Sequence, residues 1–307
     1  MTVRDQASNG ARQAGPPDGV QPLRSWMFVP GHSDRFLQKA AGVAADAVFL
    51  DLEDGVPVAE KPGARLKVRS ALGAPSFSPQ RYVRLNSLAS PWWERDLEEV
   101  VAPGLDGVCL PKVEDPAEVL RLAAALTDLE RDRSLQPGGV RIVAAVESAR
   151  GLLTAPAIAA SHPRVVGLMF GAEDFALDIG LGTHREGEAR ELIHARSSLV
   201  IAAASARVLS IDGVFPDLDD PEGLLADIVQ ARRLGFDGKS TFNPRQLGDI
   251  NRIFSPSDDE LEYAREVVRA FDEAQSRGDG SVAVGGQLVD LPIVMRARRL
   301  LDLAQRS

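Results

Sequence analysis

The chain has a single cysteine, Cys109, so no internal disulfide can form, and a reducing compartment, the cytoplasm, is expected. No apolar run approaches the roughly 18 residues of a membrane span. Nor does the beginning of the chain carry a signal-peptide core. Positive charge is in deficit. Against 44 acidic side chains stand 35 lysines and arginines, a net charge of −9 that repels a phosphate-coated polymer and argues against nucleic acid as a partner. Local basic pockets remain possible. Histidine is scarce as well: His32, His162, His184 and His194 are scattered and suit neither a metal cluster nor a catalytic triad. There is no G-x-S-x-G, which excludes serine hydrolysis of the usual kind. Without a G-x-G-x-x-G after the first strand, the dinucleotide-binding form of an open α/β sheet also loses support.

What is present is a repeated alternation. Short apolar, β-branched runs recur about every thirty residues, with helical patterns between them. Eight strands are predicted: Arg24–Pro30, Ala47–Leu52, Arg81–Asn86, Gly107–Pro111, Arg141–Glu147, Val165–Gly171, Val208–Gly213 and Asp237–Asn243. Stretches such as Pro116–Glu130 and Glu188–Arg207 carry the 3.6-residue spacing of amphipathic helices. Eight such units predict a parallel (β/α)₈ TIM barrel over residues 23–254, with a doubly wound open sheet as the alternative. Residues 1–22, rich in Gly, Pro, Gln and Asp, read as a disordered tail. Residues 255–307 read as a C-terminal helical lid or oligomerisation segment. There Ser257 and Glu260 form a capping box for a helix to about Gln275, and the Gly-rich stretch Gly278–Gly286 leads to a last helix from Leu291.

Chemistry collects at the carboxyl ends of the strands, which in a barrel surround one mouth. Glu147 and Asp174 end adjacent strands. Two carboxylates that close must share a proton or a cation. With no histidine or cysteine nearby the cation would be hard, Mg²⁺ with Mn²⁺ as a substitute, and the open alternative is an acid/base dyad sharing a proton. Glu53 and Asp54 would orient waters on that cation. Gly171 and Ala172 would let backbone N–H groups approach a substrate carboxylate. Arg84 would grip that carboxylate or a developing oxyanion, unless it is paired structurally with Glu53 or Asp54. Lys61 and Arg65, one helical turn apart, could hold phosphates at an exposed rim, though solvated charge is the default there. Asp212 is a mouth residue or a helix cap, and Cys109 a packing residue.

These residues carry a resemblance. Arg24–Gly31 (RSWMFVPG), Asp46–Asp54 (DAVFLDLED), Val83–Asn86 (VRLN), Val146–Gly151 (VESARG), Phe170–Phe175 (FGAEDF) and Ile211–Val214 (IDGV) resemble the citrate lyase β-subunit-like family of the Mg²⁺-dependent HpcH/HpaI aldolases. The resemblance implies a barrel that assembles as a homotrimer, with Glu147 and Asp174 as metal ligands, Arg84 on the substrate carboxylate, and Lys61 and Arg65 near the phosphates of a CoA thioester. Gly285–Ile293 (GGQLVDLPI) is similar to the lid segment of malyl-CoA and citramalyl-CoA lyases, in which the aspartate, here Asp290, reaches a neighbouring subunit's site. One departure is Phe242-Asn243-Pro244, where many members have Ile-His-Pro. The implied reaction is cleavage or formation of a β-hydroxyacyl-CoA from a 2-oxo acid and an acyl-CoA, with Asp290 exchanging the proton. The rival readings are a citryl-lyase subunit acting on a carrier-protein thioester, a CoA-independent aldolase releasing pyruvate, a malyl-CoA thioesterase or malate-synthase-like enzyme, and a catalytically silent interaction protein.

Overall fold

A computed structural model describes residues 23–182 and 189–306. The expected N-terminal tail, His184 and the Glu188 start of one predicted helix lie outside the described residues. Eight parallel strands pair in sequence order and close, β1 back onto β8: β1 Ser25–Pro30, β2 Ala47–Asp51, β3 Gln80–Arg84, β4 Gly107–Leu110, β5 Arg141–Val146, β6 Val165–Phe170, β7 Leu209–Asp212 and β8 Gly238–Thr241. Each predicted strand is found, most of them shortened by one or two residues where the chain turns out of the ladder. The barrel therefore replaces the open-sheet alternative.

The helices α1 Asp34–Ala40, α2 Lys61–Leu72, α3 Trp93–Val100, α4 Pro116–Asp132, α5 Ala149–Ala160, α6 Ala172–Asp178, α7 Ile193–Ala206 and α8 Pro221–Leu234 connect them, with α9 Leu247–Phe254 after β8. Inside the barrel, Trp26, Phe49, Tyr82, Cys109, Val143, Ala145, Met169, Leu209 and Ile211 form one apolar cluster. Trp26 stacks on Phe49 at 5.0 Å between centroids, and its indole N–H donates to Leu23 O at 3.1 Å. Cys109 is fully buried there, the packing role expected of it, and burial pushes its thiol well up. This plug fills the lower barrel, so only the upper end is left for chemistry.

Between the barrel and its outer helices lies a buried cluster of four charges. Arg196 of α7 grips Asp212 of β7 at 2.7 Å and Asp227 of α8 at 2.9 Å, while Lys239 of β8 stands 2.6 Å from each of the same two carboxylates. Asp212 is thus neither a helix cap nor a mouth residue. Its side chain faces outward from the strand, and two cations hold its carboxyl below the usual range although burial opposes its charge.

The chain divides into two compact units between Ile250 and Asn251. In the second unit, α10 Asp258–Ser276 starts on the expected capping box, with Ser257 accepting from the Glu260 amide at 3.2 Å. The stretch expected to be a simple Gly-rich connection is instead a hairpin of β9 Val282–Val284 and β10 Gln287–Val289. Gly285 and Gly286, at φ of 55° and 79°, make its two-residue turn. Two positive φ values in succession are what a type I′ turn demands, and glycine adopts them without a Cβ penalty. The hairpin is pinned because Val284 and Val289 bury against Val267 and Phe271 of α10 and Val294 of α11 Leu291–Arg306.

Candidate active site

The upper end of the barrel opens into a cavity of about 320 Å³ whose wall includes Asp51, Arg84, Glu147, Gly171, Ala172 and Asp174. Strand β2 ends in Asp51, which accepts backbone N–H groups from Glu53 and Gly55, both at 2.9 Å. That turn aims Glu53 back at the barrel axis. On neighbouring β3, Arg84 lays a bidentate edge on Asp51, Nε and Nη2 each donating at 2.7 Å, and sits 4.7 Å above the Phe28 ring. Its Nη1 stands 3.2 Å from Glu53 Oε2. The guanidinium is structurally paired, with Glu53 as the sequence allowed but chiefly with Asp51, a partner the sequence did not indicate, and it also lines the cavity. Three of its five protons remain for a substrate. Burial opposes the charge on Asp51, but the guanidinium and the two amides hold its carboxyl below the ordinary range.

Glu147 directly follows β5 and is almost wholly buried. Its Oε2 accepts from the Lys112 amide at 3.1 Å, an N–H made available because Lys112 adopts a left-handed φ of 56°. Burial first, then the nearby Glu53 carboxylate, pushes its carboxyl up to about 8. Space for the side chain comes from Gly171, where a Cβ would lie 2.3 Å from Glu147 Cγ. Gly171 thus serves through its missing side chain. Its N–H is committed to Val146 O at 3.0 Å, so it does not contribute to the expected anion-binding nest. Asp174, expected at the end of a strand, stands on the first turn of α6, about half exposed.

Lys112 is the residue at the mouth to which the sequence pattern assigned no role. It follows Pro111 at the end of β4, and its ammonium reaches Glu53 Oε1 at 3.1 Å, Asp54 Oδ2 at 3.0 Å and Asp174 Oδ1 at 3.9 Å. A lysine at a barrel strand's carboxyl end was the available signal, but a left-handed non-glycine residue cannot be read from composition.

Lys61 and Arg65 correct an expectation. They do not form an exposed rim; they lie on the same inward stripe of α2 as Ala64, Val68 and Leu72. Lys61 Nζ donates to Leu52 O and Glu53 O, both at 2.8 Å, and to Asn86 Oδ1 at 2.6 Å. Arg65 pairs with Asp96 at 2.6 Å and stacks on Trp92. A buried ammonium and guanidinium must satisfy their protons internally; Lys61 does so by fixing the loop that presents Glu53 and Asp54, and Arg65 by anchoring α3 through Asp96. Asn243, the departure at strand β8, accepts from the Arg245 amide at 3.1 Å and caps a short turn, while Phe242 lines the cavity. No described histidine lines the cavity.

A divalent cation fits this donor set. Among the described residues no group of three or more His, Cys, Asp or Glu could enclose a metal. The two carboxylates Glu147 and Asp174 leave coordination positions for water and substrate, the pattern magnesium favours. Glu53 Oε2 is buried without an aligned hydrogen-bond donor, an acceptor suited to a cation-bound water. Asp290 lies in the second unit, exposed at the start of α11, where its Oδ1 accepts from the Ile293 amide at 3.4 Å.

Known proteins resemble the chain in sequence and in fold. The chain is 38% identical over 285 residues to citrate lyase subunit beta of Leuconostoc mesenteroides, covering 92% of this chain and 94% of that protein. It is 37% identical over 288 residues to (3S)-malyl-CoA thioesterase of Cereibacter sphaeroides, covering 93% and 96%. A crystal structure of CitE from Mycobacterium tuberculosis in complex with magnesium, acetoacetate and coenzyme A superposes with a TM-score of 0.75 at 34% identity, covering 95% of this chain and 98% of that one. Further structures from that bacterium, TM-score 0.64 and 34% identical, hold magnesium with pyruvate (81% and 94% covered) and oxaloacetate with magnesium (79% and 98% covered). The HpcH/HpaI aldolase/citrate lyase family model matches residues 24–244, so the chain belongs to that family and is a lyase.

Proposed function

We propose that the chain is a magnesium-dependent carbon–carbon lyase that cleaves, or in reverse forms, a β-hydroxyacyl-CoA such as malyl-CoA or citramalyl-CoA. The observation that carries this reading is the pairing of a buried Glu147 with Asp174 beside an anchored Arg84 in one cavity. Magnesium held by Glu147 and Asp174 would supply Lewis acidity at the substrate's hydroxyl and carboxylate oxygens. Arg84, immobilised on Asp51, presents its remaining protons to that carboxylate and needs no reorganisation to do so. The Lys112 amide and the gap at Gly171 keep the Glu147 carboxylate in one orientation. Glu53 and Asp54, braced by Lys61 and Lys112, orient bound water.

In the cleavage direction the hydroxyl proton leaves to water and the carbon–oxygen double bond of a 2-oxo acid forms. The breaking carbon–carbon bond passes its electrons to the thioester α-carbon, which takes a proton from Asp290 of a neighbouring subunit. The resemblance of the segment around Asp290 to the lyase lid supports action on free CoA thioesters, the family resemblance supports a homotrimer, and the single cysteine supports a cytoplasmic setting. The resemblance to (3S)-malyl-CoA thioesterase favours a second reading, in which thioester hydrolysis follows at the same site.

The test is to supply malyl-, citramalyl- and citryl-CoA with magnesium and measure 2-oxo acid and free thiol. Release of 2-oxo acid that disappears in chelator and in Asp174→Ala is expected. An Asp174→Ala protein that stays fully active in chelator would overturn the metal mechanism.

A further inference from the structure

The cavity wall is divided. Among the described residues, strands β2 to β5 and helix α6, with the residues that directly follow these strands, supply every charged side chain that lines the mouth: Asp51, Arg84, Lys112, Glu147 and Asp174 among them. Strands β7, β8 and β1 supply Val214, Ser240, Phe242, Phe28 and Pro30. These strands do carry charge, but on the other face. Asp212 and Lys239 point away from the axis into the buried cluster with Arg196 and Asp227. Lys239 donates as well to Gly213 O at 2.6 Å, which leaves its ammonium fully engaged. Even the Ser240 hydroxyl is spent, donating to Asp212 O at 2.9 Å.

The two halves dictate an orientation, given that the site binds a 2-oxo acid as proposed above. The carboxylate and oxo group must face Arg84 and the Glu147–Asp174 pair, so the acid's remaining substituent faces β7, β8 and β1. A second carboxylate placed there would lose water and meet no cation and no uncommitted donor among the described residues. An alkyl group would meet Val214, Phe242 and Phe28. We infer that the β7–β8–β1 wall is a neutral subsite for a small uncharged substituent, and that it discriminates against 2-oxo acids bearing a second carboxylate. The mycobacterial structures hold both pyruvate and oxaloacetate, so the fold itself accommodates either acid, and this chain's own wall residues carry the discrimination.

2-Oxobutyrate and oxaloacetate are close to isosteric, differing by a methyl group against a carboxylate. Their affinities for the intact protein at saturating magnesium should be measured by ligand-observed NMR, which also resolves any pyruvate formed from oxaloacetate. Oxaloacetate is expected to bind at least tenfold more weakly than 2-oxobutyrate. The partly exposed Phe242→Arg, which adds a cation to the neutral wall, should narrow the gap to threefold or less. Equal affinities in the wild type would overturn the inference and leave the lyase reading standing. Binding of neither acid would remove that reading and the inference together. Tenfold discrimination left untouched by Phe242→Arg would move the selectivity away from this wall and overturn its assignment.

Discussion

Replacing Gly171 with alanine tests the construction of the site through a single methyl group. The backbone there, at φ −89°, is open to any residue, so the effect is steric alone. The added Cβ would stand 2.3 Å from Glu147 Cγ and 2.8 Å from both Cδ and Oε1. Non-bonded carbons settle at about 3.5–4.0 Å, so the Glu147 side chain must retreat by roughly 1.2–1.7 Å. A shift of about 1 Å in a catalytic group costs on the order of 100-fold in rate, or about 2.7 kcal/mol of transition-state stabilisation. Overpacking adds a stability loss of about 1–3 kcal/mol. The assay pairs calorimetric magnesium titration with kcat/KM for malyl-CoA cleavage, and Gly167→Ala is the control. That glycine lies on β6, the strand that leads into Gly171, where a Cβ would meet nothing closer than 3.4 Å. Gly171→Ala should bind magnesium far more weakly and turn over about 100-fold more slowly, while Gly167→Ala retains both properties. Wild-type magnesium affinity and turnover in Gly171→Ala would refute the claim that the Glu147 carboxylate position is what the glycine secures.

Arg84→Lys keeps one positive charge but loses the bidentate edge on Asp51, and kcat/KM should fall by an amount equivalent to about 2–4 kcal/mol; a change within about threefold would reduce Arg84 to a structural partner. Stability in chelator should depend on pH through Glu147. Its folded carboxyl is raised to about 8 from an ordinary 4.5, so its contribution is complete below about 4.5 and is lost as pH rises through about 8. Melting scans should show that decline in the wild type and a smaller one in Glu147→Gln; identical slopes would count against the raised value. Mixing inactive Asp174→Ala and Asp290→Ala under subunit exchange should restore part of the activity if Asp290 serves a neighbour's site. A mixture that stays inactive despite demonstrated exchange would place Asp290 within its own subunit or in another role.

The barrel was readable from the sequence because parallel strands buried on both faces appear as apolar runs, as β2, β4, β5 and β6 do most plainly, and the repeat of about thirty residues located the more polar β3, β7 and β8. Glu147, Asp174 and Arg84 were equally visible as charges that end such runs. What escaped was whatever depends on direction rather than position. Lys61 and Arg65 are polar residues on an inward stripe, and the stripe Ala64, Val68 and Leu72 was the clue that they are buried. Asp212 ends its strand like the others but faces outward, because Arg196 and Lys239 arrive from elsewhere in the chain to neutralise it. The hairpin after α10 was legible in its valines flanking Gly285-Gly286, a turn signal overshadowed by the glycine content around it.

The four-charge cluster has a consequence for how the barrel is assembled. Arg196, Asp212, Asp227 and Lys239 come from α7, β7, α8 and β8, and no three of them can be buried without leaving a charge unmatched. A last quarter lacking any one of the four elements would carry a desolvated ion without its full complement of partners, so these elements are expected to dock together, with β8 closing against β1 only when the whole set is in place. Their amides should then share a single protection free energy in native-state hydrogen exchange, and Lys239→Met should lower that shared value for all four elements at once.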